Sequence, residues 1–226
     1  MNEVVGAELG GGGGEGALRE RFDYINGDMC TIGLDLDDDS SSALKAQSFD
    51  TAWILLGSLQ HLTTNDDVIS CFRSTASLLR EGGTMIVELP HPKETFSMGE
   101  CTRNGWEVPL EDEEGEEYGE LKIVWGDEGD VFDPIRQVRD FTVVMDLVEH
   151  KGGKKEKDDD GGGGGSRESA IREVVPTRLF TAQEIDMMGR LGGFEVVKQY
   201  GALEVDEVDI HNEEEAFRLI SVLRKT

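Results

Sequence analysis

Positive charge is scarce in this chain: 22 lysines and arginines stand against 48 aspartates and glutamates in 226 residues, a formal charge of −26. So negative a chain repels phosphate backbones and anionic lipid surfaces, which argues against nucleic acid or a membrane as partner. Cysteine is scarce as well. Cys30, Cys71 and Cys101 are widely spaced, odd in number and free of any Cys-x-x-Cys pair, so neither a disulfide framework nor a thiolate metal centre is expected. The four histidines, His61, His91, His150 and His211, are scattered and give no ligand spacing, and no metal site is expected. No apolar run approaches the roughly 20 residues that span a bilayer. The opening MNEVVGAELGGGGGEG lacks the basic start and apolar core of a secretory signal. The chain therefore reads as soluble, reduced and cytoplasmic.

What is present is apolar material concentrated in a few segments: 37% of residues are hydrophobic although 31% are charged and 29 are glycine. The length suits one domain, residues 1–226, carrying an insertion. Two five-glycine runs, Gly10 to Gly14 and Gly161 to Gly165, are low-complexity loops, and the second belongs to a stretch, 151–169, expected to be disordered. Glu111 to Glu120 (EDEEGEEYGE) is acidic enough that self-repulsion predicts an extended, solvated loop.

Between these tracts, strand-like and helix-like patterns alternate. Glu3 to Leu9 and Phe22 to Ile25 are short runs of β-formers that end at glycine or Asn-Gly, each predicting a short strand. Phe49 to Leu56 is nearly continuous apolar sequence, as in a strand buried on both faces of a parallel sheet. Asn65 to Arg80 places Val68, Cys71, Phe72, Ala76 and Leu79 at helical spacing, with Thr64 or Asn65 as N-cap and Gly82-Gly83 as the stop. Thr84 to Leu89 is again strand-like and ends at Pro90. Leu121 to Trp125, Gln137 to His150 and Ala170 to Val175 are then strands without intervening helices, which predicts an antiparallel β insertion over 93–176. Thr181, with Glu184 three residues on, opens a capped helix that Gly192-Gly193 ends, and Phe194 to Tyr200 and Ala216 to Leu223 are two final strands. The pattern is that of an α/β doubly wound, mostly parallel sheet with a late antiparallel strand pair. Sheets of this kind bind ligands at the carboxyl ends of their strands.

Glu8 closes the first of these strands, where a carboxylate can accept hydrogen bonds from both hydroxyls of a ribose. Asp28 follows the second within Gly27-Asp28-Met29. Its carboxylate could accept an adenine amino hydrogen while Met29 packs the ring face, or it could simply make an Asx turn. After the third comes Gly57-Ser58-Leu59-Gln60-His61-Leu62, in which His61 either lines a pocket or caps the next helix.

Taken together, FDYINGDM, the stretch SFDTAWILLGSLQHLTTNDDV with its helix end LLREGGTMIVEL, and RLFTAQEIDMMGRLGGFEVVKQYG resemble the class I S-adenosylmethionine-dependent methyltransferases. The resemblance implies a Rossmann-like fold, S-adenosylmethionine as cofactor and a small-molecule methyl acceptor. It assigns Glu8 to the ribose, Asp28 and Met29 to adenine, and Leu56, Gly57, Ser58 and His61 to the loop lining the methionine side. The family's first strand and its glycine-rich loop should precede the Glu8 strand, yet only two residues stand before Glu3. Either the N-terminus is incomplete, the preferred account, or the Glu8 strand pairs directly with the Phe49 strand. Loss of that half of the site would impair methyl transfer.

Methyl transfer is an in-line displacement in which the protein chiefly aligns the reactants. A hydroxyl or ammonium acceptor also needs a base, and His61 or His91 could serve, although His91, between Pro90 and Pro92, equally suits a turn. Trp106, Tyr118 and Trp125 of the insertion could form a substrate lid or pack its strands. Two other function classes remain: a non-catalytic methyltransferase-like binding or regulatory protein, and a nicotinamide-dependent dehydrogenase, which the Gly-Asp-Met turn suits poorly. The oligomeric state is not encoded in any visible pattern.

Overall fold

The computed structural model of the protein describes residues 24–34, 44–96, 104–112, 114–149 and 166–226. Glu8 and its expected strand, both five-glycine runs, Cys101 and His150 lie outside the described residues. In chain order the strands are β1 (Phe49–Ile54), β2 (Leu79–Pro90), β3 (Asn104–Glu111), β4 (Glu117–Trp125), β5 (Phe132–Asp133), β6 (Val138–Glu149), β7 (Ser166–Arg178), β8 (Phe194–Tyr200) and β9 (Arg218–Lys225). The helices are α1 (Asn65–Leu78), α2 (Pro92–Thr95) and α3 (Ala182–Leu191), with a 3-10 turn at Ser58–His61.

Four strands make the first sheet, in the order β1-β2-β9-β8. β1 runs parallel to β2, with Ala52 opposite Met85 and Ile54 opposite Val87, whereas β9 lies antiparallel to β2 and β8 antiparallel to β9. The late antiparallel pair expected from the sequence is thus β8 with β9, and the one parallel pair among the described residues is β1 with β2. β1 is an edge strand there. Its outer edge meets no described strand, and the Glu3 to Leu9 strand, which one of the two alternatives would pair with it, lies outside the described residues.

Alternation along β2 explains where the core sits. Met85, Val87 and Leu89 point to the face that α1 and α3 cover, joined there by Leu219 and Leu223 of β9. From the helices come Val68, Cys71, Phe72, Ile185 and Met188, all buried. Phe72 of α1 meets Phe194 of β8 edge to face, with ring centroids 6.3 Å apart. Both longer helices lie on this face, so Trp53, which points to the other side, is 65% exposed.

The helix ends follow local chemistry. Thr64 caps α1, its side chain accepting the Asp67 amide, and Asp66 and Asp67 in the first turn suit the positive end of the helix. α3 starts with the expected capping box: the Thr181 hydroxyl accepts from the Glu184 amide, and the Glu184 carboxylate accepts from the Thr181 amide. α1 ends two residues before the expected Arg80. Leu79 takes an extended conformation and is fully buried, so burial of that leucine outweighs a further half-turn of helix, and Gly82-Gly83 falls inside β2.

The second sheet runs β3-β4-β6-β5, with β7 on β6. β4 and β7 exceed their expected bounds, β6 keeps within Gln137 to His150, and β7 begins at Ser166, within the stretch expected to be disordered. The sequence gives no alternation that finds β3. β3 carries Pro109, tolerable because it is an edge strand, and an acidic face on which Glu107 pairs with Lys122 at 3.1 Å. The acidic stretch from Glu111 to Glu120 is accordingly not all loop. Its ends belong to β3 and β4, Asp112 accepts from the Glu114 and Glu116 amides in the turn, and Glu120 is buried beside Lys122 at 2.9 Å. Half of the strand expected at Phe22 to Ile25, residues 22 and 23, lies outside the described residues; Tyr24 and Ile25 form no ladder and lie exposed.

Candidate functional site

The carboxyl ends of β1 and β2 lie side by side, and the chain leaving β1 makes a sharp turn there. Leu56 and Gly57 both take left-handed backbone conformations, at φ 56° and 72°. Glycine adopts this readily, but leucine does so at a cost, and the Leu56 side chain is also 83% exposed. The turn is held by β2: the Leu56 amide donates to Glu88 Oε2 at 3.0 Å and the Gly57 amide to the Glu88 carbonyl at 3.2 Å. The Ser58 hydroxyl donates to the Leu55 carbonyl at 2.7 Å, Leu59 is fully buried as an anchor, and Gln60 donates to the Arg178 carbonyl at 3.0 Å. His61, the last residue of the 3-10 turn, is exposed, and the next helix is capped by Thr64 instead.

The Asp28 turn packs against α1. Asp28 Oδ1 accepts the Cys30 amide at 2.8 Å, so the Asx turn is the geometry found, and Asp28 does not stand at a strand end. Met29 is half-buried against the core. The Cys30 thiol donates to the Asp67 carbonyl in the first turn of α1 at 3.5 Å, and the Gly33 amide donates to Ser74 Oγ at 2.8 Å. Two of the expected groups therefore flank one structural feature: Leu56, Gly57, Ser58 and His61 lead into the N-terminal turn of α1, and Asp28 and Met29 dock beside it. Glu8 lies outside the described residues.

Neither described thiol is a nucleophile near neutral pH. Burial, followed by the negative charge of Asp28, pushes Cys30 up to about 11, and burial pushes Cys71 up to about 12. His91 is buried. Its Nδ1 accepts the Lys93 amide, so Nε2 carries the proton and donates to the Ile210 carbonyl at 2.9 Å. Both ring nitrogens are engaged by backbone and His91 caps α2, which makes it a turn residue rather than a base. His211 is exposed. Among the described residues no group of three or more His, Cys, Asp or Glu could hold a metal ion, and no helix is long and apolar enough to cross a membrane.

Behind the 3-10 turn, Arg178 forms an ion pair with Glu184 at 3.1 Å, and Gln137 donates to Glu184 at 3.1 Å, joining the second sheet to α3. Burial on its own raises the Glu184 pKa. The Thr181 amide and hydroxyl, Gln137 and Arg178 outweigh it and hold the carboxyl below its ordinary value. A depressed folded pKa contributes stability above the unfolded value near 4.5, lost as pH falls through the lower folded value. Glu184→Gln is expected to cost about 1–2 kcal/mol at pH 7. By calorimetry the difference between variant and parent should shrink as pH falls below 4.5, and a pH-independent difference would count against this account.

Sequence reading missed Glu88, Arg218, Gln60 and Arg178. The one local signal was an acid between Val87 and Leu89 in the largely apolar run TMIVEL.

No family model matches the chain, and no curated protein matches it significantly. Solved structures do. A methyltransferase from Clostridium acetobutylicum, described as S-adenosylmethionine-dependent, superposes with TM-score 0.55 at 14% identity over 93% of this chain and 69% of that one. CalS10 from Micromonospora echinaspora, an amino pentose methyltransferase solved with S-adenosylmethionine bound, gives TM-score 0.53 at 17% identity over 88% and 63%. The CcbJ methyltransferase from Streptomyces caelestis gives 0.50 at 20% identity over 81% and 63%. The fold is that of the class I S-adenosylmethionine-dependent methyltransferases. The chain spans about two thirds of the length of these methyltransferases, between 63% and 69%.

Proposed function

We propose that this chain binds S-adenosylmethionine across the carboxyl ends of β1 and β2 and transfers its methyl group to a small-molecule acceptor. The observation that carries the reading is the left-handed Leu56-Gly57 turn, exposed at the strand ends of a methyltransferase fold beside the Asp28 turn. Strained backbone and exposed apolar side chains collect where ligands sit. In this reading Glu8 receives the ribose, Asp28 and Met29 the adenine, and Leu56, Gly57, Ser58 and His61 the methionine side. Residues 1–226 act as one domain, with the β sheet of the 93–176 insertion beside the site.

Bound there, the sulfonium supplies an activated methyl group. The chain's own work is then alignment, with the acceptor held in line behind the methyl. An amine acceptor suits the charge of −26, which raises the local concentration of cations and disfavours anions. CalS10, an amino pentose methyltransferase, is one neighbour with a substrate of that type. The acceptor's proton must go to a base, and of the two candidates His61 and His91, the second has both ring nitrogens engaged, which leaves His61. Cys30 and Cys71, both free thiols, suit a reducing cytoplasm.

Isothermal titration of the full chain with S-adenosylmethionine and S-adenosylhomocysteine tests this. We expect saturable binding in the micromolar range usual for such ligands, from about 1 to 100 μM. No heat of binding at millimolar ligand would falsify the reading. Binding without turnover on a panel of small amines favours the non-catalytic alternative instead.

A further inference from the structure

We propose that Glu88 is a positioning residue: from within the sheet it sets the shape of the Leu56-Gly57 turn and thereby the affinity for the adenosyl ligand. The inference rests on the methyltransferase reading for its ligand and on geometry alone for the turn. Glu88 is 6% exposed, between the buried apolar residues Val87 and Leu89. A carboxylate taken out of water is costly unless paired, and an apolar side chain of equal volume would pack there without that cost. Stability therefore does not explain the residue.

Its contacts do. Glu88 faces away from the helices, opposite Ile220 of β9, with Arg218 diagonally across on the same face. Oε1 receives Arg218 Nε at 3.3 Å, and Oε2 receives the Leu56 amide at 3.0 Å, while the Glu88 carbonyl takes the Gly57 amide. One side chain thus ties the exit of β1 to the entry of β9 across the tip of β2. The amide it captures is that of the left-handed Leu56, and the capture leaves the Leu56 side chain directed outward at 83% exposure. A strained backbone and an exposed apolar side chain are two unfavourable features at one residue, and the buried carboxylate stabilises both at once. Removing the acceptor frees Leu56 to return to the extended region that leucine prefers, which withdraws its side chain and shifts Gly57 and Ser58 with it.

Glu88→Met tests the proposal, because methionine fills similar volume and removes the acceptor without opening a cavity. A merely structural role predicts a lower melting temperature and faster amide exchange throughout the sheet. A positioning role predicts a melting temperature close to that of the parent, since Arg218, left without its partner, has 32% of its side chain exposed and can be hydrated. It further predicts exchange of the Leu56 amide accelerated at least about tenfold with Met85 and Leu223 unchanged, and affinity for S-adenosylhomocysteine lowered about tenfold, the scale of one hydrogen bond to a charged group. Glu88→Gln, which can serve Leu56 or Arg218 but not both, should fall between the two and decides the matter if the methionine variant fails to fold. Parent-like affinity and Leu56 exchange in the folded variants overturn the proposal. A parent chain that binds no S-adenosylhomocysteine overturns the cofactor reading instead, and the exchange measurement alone then judges Glu88.

Discussion

Replacing Phe72 with alanine is expected to destabilise the protein by about 3–5 kcal/mol, the usual range for a buried phenylalanine. The ring is completely buried at the centre of α1's inner face, where it meets Phe194 edge-on at 6.3 Å and 77°. Truncation removes that aromatic pair and leaves a cavity. The walls of the cavity are set by sheet and helix backbone, which limits collapse. Urea unfolding followed by far-ultraviolet circular dichroism reads the loss directly. A value below about 1.5 kcal/mol would show that α3 can close onto the gap and that the α1–α3 packing is looser than described.

Gly33→Ala is the second large effect, and it acts on the site. A β-carbon on residue 33 would stand 2.0 Å from the carbonyl oxygen of Ser74 and 2.6 Å from Ser77 Oγ. The first of these is helix backbone and cannot step aside. The same glycine donates its amide to Ser74 Oγ and accepts from the Ser77 hydroxyl, so the Asp28 turn is fastened to α1 through a contact that only glycine fits. Alanine should push residues 28–34 off the helix at a cost of about 1–3 kcal/mol, as for other overpacked sites. Affinity for S-adenosylhomocysteine should fall at least about tenfold, because Asp28 and Met29 move together. Calorimetric titration of the variant at a temperature where it is fully folded provides the check. Unchanged affinity would detach the Asp28 turn from the ligand.

Features carried by neighbouring residues were legible in the sequence. The capping box at Thr181 and Glu184, the N-cap at Thr64 and the apolar spacing of α1 rest on residues a few positions apart, and the structure has each of them. What escaped depends on partners far along the chain. Nothing near Glu88 says that it will meet Leu56, 32 positions away, and nothing near Gln60 points to Arg178 at a separation of 118. Among 48 acids, one buried carboxylate has no local mark beyond its apolar neighbours. β3 was hidden for a different reason. As an edge strand it needs neither a buried face nor an unbroken set of donors, so Pro109 and its glutamates are allowed where alternation would otherwise be demanded. Asp28 shows the opposite case, a residue whose Asx-turn geometry follows from its own side chain and whose place beside α1 follows from Gly33.

The hairpin of β6 and β7 separates the chain's most repetitive stretch from its chemistry. β6 has 12 residues, so the hairpin extends roughly 40 Å from the Arg178 end to the end where residues 150–165 join its strands. Ladder bonds along that length are indifferent to what connects the distal ends. Glycines and charges can therefore be gained or lost there over evolutionary time without altering how Arg178 meets Gln60, and natural selection on that contact has little purchase on that part of the gene.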